Sequence, residues 1–274
     1  MENKTKIIDP NKKTGVLEYL SIIWDYRYLS QSLAKADIKG KYAKTYSGVF
    51  LSVLQSFIGL GVYWVIFGIA LNIDTSGTPY PLFVLPGLIL WQYFSYLTGT
   101  ASGAIIQSEH LITKLYFPRI NLVFAKAISG LVEMGAGSFV FIVFMLIYKL
   151  PVNINWMFIP LILAALIIAG LSIALWISII SLYIRDLGNI IIQLTNFIIF
   201  VTPVFYPGTI VPEGFRIILF LNPLAGIIET LRWALFGHGL PDSGYLLGII
   251  PVAVFMVSGF FIFKKIEKKI TDLL

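Results

Sequence analysis

The sequence predicts an all-α integral membrane protein with six transmembrane helices, an N-terminal amphipathic interface helix and a re-entrant helical element between spans 5 and 6. Three observations carry that expectation. Of 274 residues, 58% are hydrophobic and only 12% charged, against roughly 25% charged in soluble domains. Several apolar runs exceed the ~18 residues that a span needs. The basic residues gather at the ends: nine of the 20 Lys/Arg precede Gly48, and Lys264, Lys265, Lys268 and Lys269 follow the last run. Basic ends of this kind are cytoplasmic anchors beside anionic lipid. A nucleic-acid face would interleave basic residues with stacking aromatics on a soluble surface, so the net charge of +6 implies no nucleic-acid partner. The absence of cysteine excludes disulfide frameworks and thiolate metal sites.

The chain divides into a polar, Lys-rich N-terminal segment (1–47), a transmembrane domain (48–264) and a short basic C-terminal tail (265–274). No short apolar stretch with a small-residue cleavage site opens the chain, so no cleavable signal peptide is expected and the first span serves as its own insertion signal. Within the first segment, residues 16–29 form an interfacial helix: Leu17, Leu20, Trp24 and Tyr28 share one face, opposite Glu18, Asp25 and Arg27. Spans are expected at 49–71, 82–106, 120–148, 157–181, 189–205 and 245–263. A further apolar run, 215–236, decides the topology. With six spans both termini are cytoplasmic and seventeen Lys/Arg lie inside, leaving Lys149, Arg216 and Arg232 outside. Residues 208–236 then dip into the outer side and return. Pro203, Pro207, Pro212 and Pro223 break helices there, and Gly208, Gly214 and Gly226 permit tight turns. Non-helical backbone at membrane depth survives only where protein or a water-lined cavity satisfies it, so this element hints at a gate; an ordinary packed extracellular cap is the alternative.

Polar groups within the apolar runs fall in stripes. Ser52, Gln55, Ser56, Gly59 and Tyr63 share a face of span 1, Trp91, Ser95, Thr98 and Ser102 a face of span 2, and Gln193, Asn196, Phe197 and Phe200 a face of span 5. Such surfaces suit sugars, whose hydroxyls bond amides and whose CH faces stack on aromatics. Helix packing gives similar stripes, and Gly99 and Gly103 favour packing for span 2. Glu133 lies roughly 20 Å along span 3. It is either a functional ionisable group or a structural one, neighbouring Lys126. No phosphate-binding G-x-x-x-x-G-K-[ST] loop is present, so the chain is expected to hydrolyse no nucleotide. With His110 and His238 as the only histidines, neither a metal site nor a His-based triad is expected.

The loops carry a resemblance. Asp37-Ile38-Lys39, Tyr42, Ser47-Gly48 and Gln55 precede or open span 1. Phe67-Gly68, Pro79-Tyr80-Pro81, Pro86-Gly87-Leu88, Trp91 and Phe94-Ser95 follow. The next inner loop reads Leu111 to Arg119, LITKLYFPR. Arg185-Asp186, the Pro203–Pro207 segment PVFYP, Val211-Pro212, Asn222-Pro223 and Glu229…Arg232 complete the order. Together these resemble the permease subunit of the type 2 ABC exporters for O-antigen, capsular polysaccharide and teichoic acid, over residues 16 to 265. Ala36, Leu51 and Ser56 depart from that pattern, where the family has Arg, Trp and Pro.

The resemblance implies a transport subunit, not an enzyme, in a bacterial cytoplasmic membrane. Two copies would form the channel, with two copies of a separate nucleotide-binding ABC subunit that uses ATP and Mg. No cofactor would be bound by this chain. The substrate would be a polyprenyl-diphosphate-linked polysaccharide, or a teichoic-acid polymer. Coupling to the ATPase subunit would fall to Glu109, Lys114, Tyr116, Phe117, Pro118 and Arg119, with Tyr116–Pro118 as an apolar knob, and Arg185 and Asp186 would form another inner loop. The substrate path would use Ser52, Gln55, Gly59, Tyr63, Trp91, Gln193, Asn196, Phe197 and Phe200. The outer gate would use Pro203, Tyr206, Pro207, Pro212, Asn222, Pro223, Glu229 and Arg232. A drug or lipid exporter of the same fold, a membrane enzyme of glycan assembly and a secondary transporter are the competing readings. The enzyme would need a carboxylate or His cluster at a membrane face, and the secondary transporter several intramembrane ionisable groups; neither is evident in the sequence.

Overall fold

The computed structural model describes residues 15–42, 58–184, 186–237 and 239–270, and these are helical without a strand. Two helices open the chain, α1 (Val16–Asp25) and α2 (Arg27–Tyr42). The single interfacial helix expected over 16–29 is therefore broken at Tyr26, whose backbone (φ −89°, ψ 10°) leaves the helical region. Leu17, Leu20, Trp24 and Tyr28 are all exposed, and Tyr19, on another face, is buried.

After the break, α2 runs alongside α6 (Ile120–Ile147) in the same direction. Ser30 Oγ donates to the Asn121 carbonyl at 3.1 Å, and Lys126 Nζ pairs with Asp37 at 2.8 Å. Farther along, Lys41 Nζ pairs with Glu133. This corrects the expected neighbourhood of Glu133: Lys126 is taken by Asp37, and the cation at Glu133 comes from the N-terminal segment. The reason is geometric. The first half of α6 is the part flanked by the polar α2, so Asp37 and Lys41 meet Lys126 and Glu133 across that contact.

The remaining helices are α3 (Ile58–Ala70), α4 (Tyr80–Ala104), α5 (Glu109–Ile112), α7 (Ile159–Tyr183), α8 (Leu187–Val201), α9 (Arg216–Leu221), α10 (Pro223–Phe236) and α11 (Ile249–Ile266). Among the described residues, four stretches are long and apolar enough to cross a membrane: α4, α6, Ile154–Tyr183 and Ser243–Ile266. Helix α4 is the central one. Its apolar window is 78% buried, against 22% for α6 and 17% for the last helix, and it packs on α6, α7, α8 and α10.

Span 5 is shorter than the expected 189–205. Thr202 turns extended (φ −84°, ψ 137°) because Pro203 disfavours helix in the residue before it. Residues 203–207 then fold back against α4, where a Cβ on Gly87 would sit 3.3 Å from the Val204 carbonyl oxygen. Of span 1, only 58–71 falls within the described residues; its last turns, Trp64–Ala70, are π-helical. The apolar run 215–236 is not one straight helix. Glu213–Leu221 and Pro223–Phe236 meet at 95°, because Asn222 is extended and its Oδ1 caps the Leu224 N–H at 3.0 Å, with Pro223 opening the new helix.

The tail expected from residue 265 is not separate from the bundle at its start. Helix α11 includes Lys264 and Lys265, and a further turn, Glu267–Lys269, packs inward with Phe263, Glu267 and Ile270 buried.

Candidate functional site

Three short stretches of different helices enclose a polar hollow. Gly59 and Tyr63 of α3, Leu88, Trp91, Gln92 and Ser95 of α4, and Asn196 and Ile199 of α8 line a volume of about 320 Å³. Four expected path residues meet here: Gly59, Tyr63, Trp91 and Asn196. Polar residues spaced by one helical turn share a face, and three such faces converge here. Gln92 was missed, since it lies one position off the Trp91–Ser95 stripe. Gln193, Phe197 and Phe200 do not line the hollow; Phe197 is 72% exposed. Thr98 and Ser102 turn their hydroxyls to carbonyls of their own helix, Phe94 and Gly99. Ser52 and Gln55 lie outside the described residues.

An aromatic cluster adjoins this hollow. Phe205 is fully buried, its ring 4.0 Å from that of Tyr63, stacked on Phe67 at 5.1 Å and 5.7 Å from Phe200. Tyr80 Oη donates to the Phe205 carbonyl at 3.1 Å. One residue of the PVFYP segment thus joins α3 and α8 through its ring and α4 through its carbonyl. Phe205 was not among the expected gate residues, because the prolines around it gave the stronger sequence signal.

The segment itself is held by Arg232, 3% exposed on α10. Its Nη1 donates to the carbonyls of Pro203 (2.7 Å) and Tyr206 (3.3 Å) and to Glu229 Oε1 (3.0 Å); Nη2 donates to Val204 (2.7 Å) and Nε to Phe83 (3.3 Å). The guanidinium carbon lies 3.7 Å from the Phe83 ring centroid. Glu229 Oε1 also accepts the Gly208 N–H at 3.1 Å. A guanidinium suits this task because its planar donors fan out to several carbonyls at once. Asn222 adds a bond from Nδ2 to Thr202 Oγ1 at 2.9 Å. Expected gate residues Pro203, Tyr206, Glu229 and Arg232 are therefore one bonded unit, Asn222 holds the neighbouring Thr202, and Pro223 lies at the elbow. Pro207 lines an adjoining cavity of about 210 Å³ with Glu229, Arg232, Trp233 and Tyr245. A Cβ on Gly208 would meet the Tyr245 hydroxyl at 2.1 Å, so that side chain would have to shift. Pro212 is exposed and only begins the turn into α9.

At the opposite end, α5 begins at Glu109 and the chain turns through Lys114 and Leu115 into α6. The expected apolar knob is corrected here. Phe117 is 2% exposed, and Pro118 and Arg119 are also buried, whereas Tyr116 is 49% exposed and Leu115 lies beside it on the surface. Phe117 joins the main apolar core, so the outward face of this loop is Lys114, Leu115 and Tyr116. Asp186, before α8, is exposed, and Arg185 lies outside the described residues.

Glu267 was also missed. It is 9% exposed; Oε2 accepts the Tyr19 hydroxyl at 2.7 Å and Oε1 the Arg119 backbone N–H at 2.5 Å. Burial pushes its protonation above the usual carboxylate range, opposed by those two bonds and the Arg119 charge. A signal existed: Phe263, Glu267 and Ile270 share a face at helical spacing, placing the acid with buried residues.

A family model described as ABC-2 type transporter matches residues 28–236. Among curated relatives, an O-antigen export system permease protein RfbA of Klebsiella pneumoniae is 25% identical over 245 residues, covering 88% of this chain and 93% of the relative. An O-antigen export system permease protein RfbA of Myxococcus xanthus is 26% identical over 237 residues, 86% and 90% of the two chains. The polysialic acid transport protein KpsM of Escherichia coli is 23% identical over 215 residues, 74% and 80%.

Proposed function

Because the chain belongs to the ABC-2 type transporter family, we propose that it is the membrane-spanning permease subunit of an ATP-driven exporter of a lipid-linked polysaccharide, of O-antigen or capsule type. The observation that carries the substrate class is the near full-length similarity to permeases named for O-antigen export, supported by a similarity to one named for polysialic acid transport. The hollow of Gly59, Tyr63, Trp91, Gln92 and Asn196 supports the same reading: two amides, a hydroxyl and flat rings are what a chain of pyranoses would meet.

The sequence carries no phosphate-binding loop, so ATP and Mg belong to a nucleotide-binding subunit, two copies of which dock at the cytoplasmic face. Lys114, Leu115 and Tyr116 form the surface that meets it, with Glu109, Phe117, Pro118 and Arg119 setting their position and Arg185 and Asp186 on the neighbouring inner loop. Two copies of the permease enclose the path. Six helices are too few to surround a hydrated polymer, and α3 and α8 leave Ile58, Val62, Ile69, Leu194 and Phe197 uncovered. The polyprenyl diphosphate anchor stays with the lipid.

The test is reconstitution. The isolated chain is expected to hydrolyse no ATP, and co-purification with its nucleotide-binding subunit in proteoliposomes should give ATP-dependent movement of a polyprenyl-diphosphate-linked glycan. Hydrolysis by the chain alone, or a working ATPase complex that moves drugs or lipids but no glycan, overturns the reading.

In this reading α3, α4, α6, α7, α8 and α11 are the six spans, both termini are cytoplasmic, and the 95° pair re-enters from the outer side. The chain lacks cysteine, so single cysteines report cleanly. Replacements at Lys39, Lys114 and Lys269, all exposed, should react with an impermeant maleimide only from the cytoplasm, and one at Asp242 only from outside. Labelling of positions 39 and 269 from opposite sides would make the bent pair a full crossing.

A further inference from the structure

Three parts of the chain that are distant in sequence meet on one buried carboxylate. Tyr19 belongs to α1, Arg119 ends the inner loop and opens α6, and Glu267 follows α11. Each oxygen of Glu267 takes one of the other two: Oε2 the Tyr19 hydroxyl at 2.7 Å, Oε1 the Arg119 N–H at 2.5 Å. The surroundings keep the three in register. The Tyr19 ring meets Phe260 of α11 edge-on at 5.6 Å, and Lys264 Nζ lies 5.4 Å from the Tyr19 ring centroid. Tyr26 Oη reaches the Tyr116 carbonyl at 3.4 Å, so the break between α1 and α2 also touches the inner loop. Phe263 and Ile270, on either side of Glu267, are buried and anchor its turn.

Stability alone is a poor reason for this arrangement. Taking a carboxylate out of water is costly, and apolar groups of similar volume often do as well or better. What a two-oxygen acceptor adds is geometry: it fixes two donors from separate segments at one point. The site lies away from the hollow and from the Arg232 cluster.

We infer that Glu267 is a positioning residue that locks the inner loop, the interfacial helix α1 and the end of α11 into one mechanical unit, so that a push on Lys114–Tyr116 moves all three together. Without the lock, the loop would move against the bundle, and hydrolysis in the partner would no longer displace the spans. This rests on the exporter reading for its consequence, but its geometric content does not.

The experiment therefore has two arms. In the isolated permease, spin labels on cysteines at the exposed positions Lys114 and Lys265 should give one narrow distance distribution. Glu267→Ala should broaden it, and Tyr19→Phe, which keeps the ring against Phe260, should broaden it less. In the reconstituted complex, both variants should assemble and hydrolyse ATP at near wild-type rates. Glycan moved per ATP should fall roughly tenfold or more for Glu267→Ala, the population shift expected from losing bonds to a buried charged acceptor. Glu267→Gln retains one acceptor oxygen and should fall between. An unchanged narrow distribution in both Glu267→Ala and Tyr19→Phe overturns the inference, whatever the transport result. Should Glu267→Ala fail to insert, Tyr19→Phe alone decides by the same measurement. If instead the wild-type complex moves no glycan while the distances respond as stated, the exporter reading fails and the lock stands.

Discussion

Replacing Arg232 with methionine is expected to unfold the outer element and abolish export, with a loss of about 3–5 kcal/mol in stability, the cost of removing one partner from a buried ion pair. The side chain makes five hydrogen bonds, four to the carbonyls of Phe83, Pro203, Val204 and Tyr206 and one to Glu229. Methionine fills similar space but removes all five donated bonds; Glu229 Oε1 keeps only the Gly208 N–H, and each buried acceptor left unsatisfied costs about 1–3 kcal/mol. Lysine should rescue poorly, since its ammonium has three donors on one atom and cannot span carbonyls on α4 and on the 203–206 segment together. Glu229→Gln should be milder, because its amide oxygen still accepts from Gly208 or Arg232. Melting temperature and yield of the detergent-purified chain are the measurements. A normal melting temperature for Arg232→Met would mean that Phe205 and the Tyr80 hydroxyl hold the segment by themselves.

Asn196→Trp is expected to act on conduction instead. Asn196 sits on the wall of the hollow opposite Gly59 and Trp91, and an indole there takes the space through which a sugar chain would pass. The helix should tolerate it, since the Asn196 side chain is exposed. The variant complex should therefore assemble with its ATPase partner and keep hydrolysing, while surface polysaccharide falls to background. Asn196→Ser, which is smaller and polar, should export. If Asn196→Trp first lowers the amount of assembled complex, the residue is a packing contact and the hollow is not on the path.

Much of this architecture was legible in the chain itself. Hydropathy located α4, α6, α7, α8 and α11 to within a few residues, because in lipid each backbone polar group must be satisfied within its own helix, so an apolar run has few structural choices; the polar α2 gave no such signal. Pro203, Pro223 and Asn222 marked the breaks for a local reason as well: proline has no N–H and constrains the residue before it. The stripes through Gly59, Tyr63, Trp91 and Asn196 followed from helical spacing, which fixes faces without knowledge of neighbours.

What depended on neighbours was not legible. The sequence could not tell that Lys126 pairs with Asp37 and Glu133 with Lys41, because a salt bridge between helices depends on how they dock. Nor could it show that Phe117 turns inward while Tyr116 faces out, since both are aromatic and adjacent in a loop with no period to separate them. Glu267 and Arg232 make the same point. Each is a charge whose meaning comes from acceptors or donors tens to hundreds of residues away, and only tertiary structure brings those to hydrogen-bonding distance. Local composition determined which segments are helices and where they break. Docking decided which of their charged and aromatic side chains are buried, and only burial made those few side chains specific.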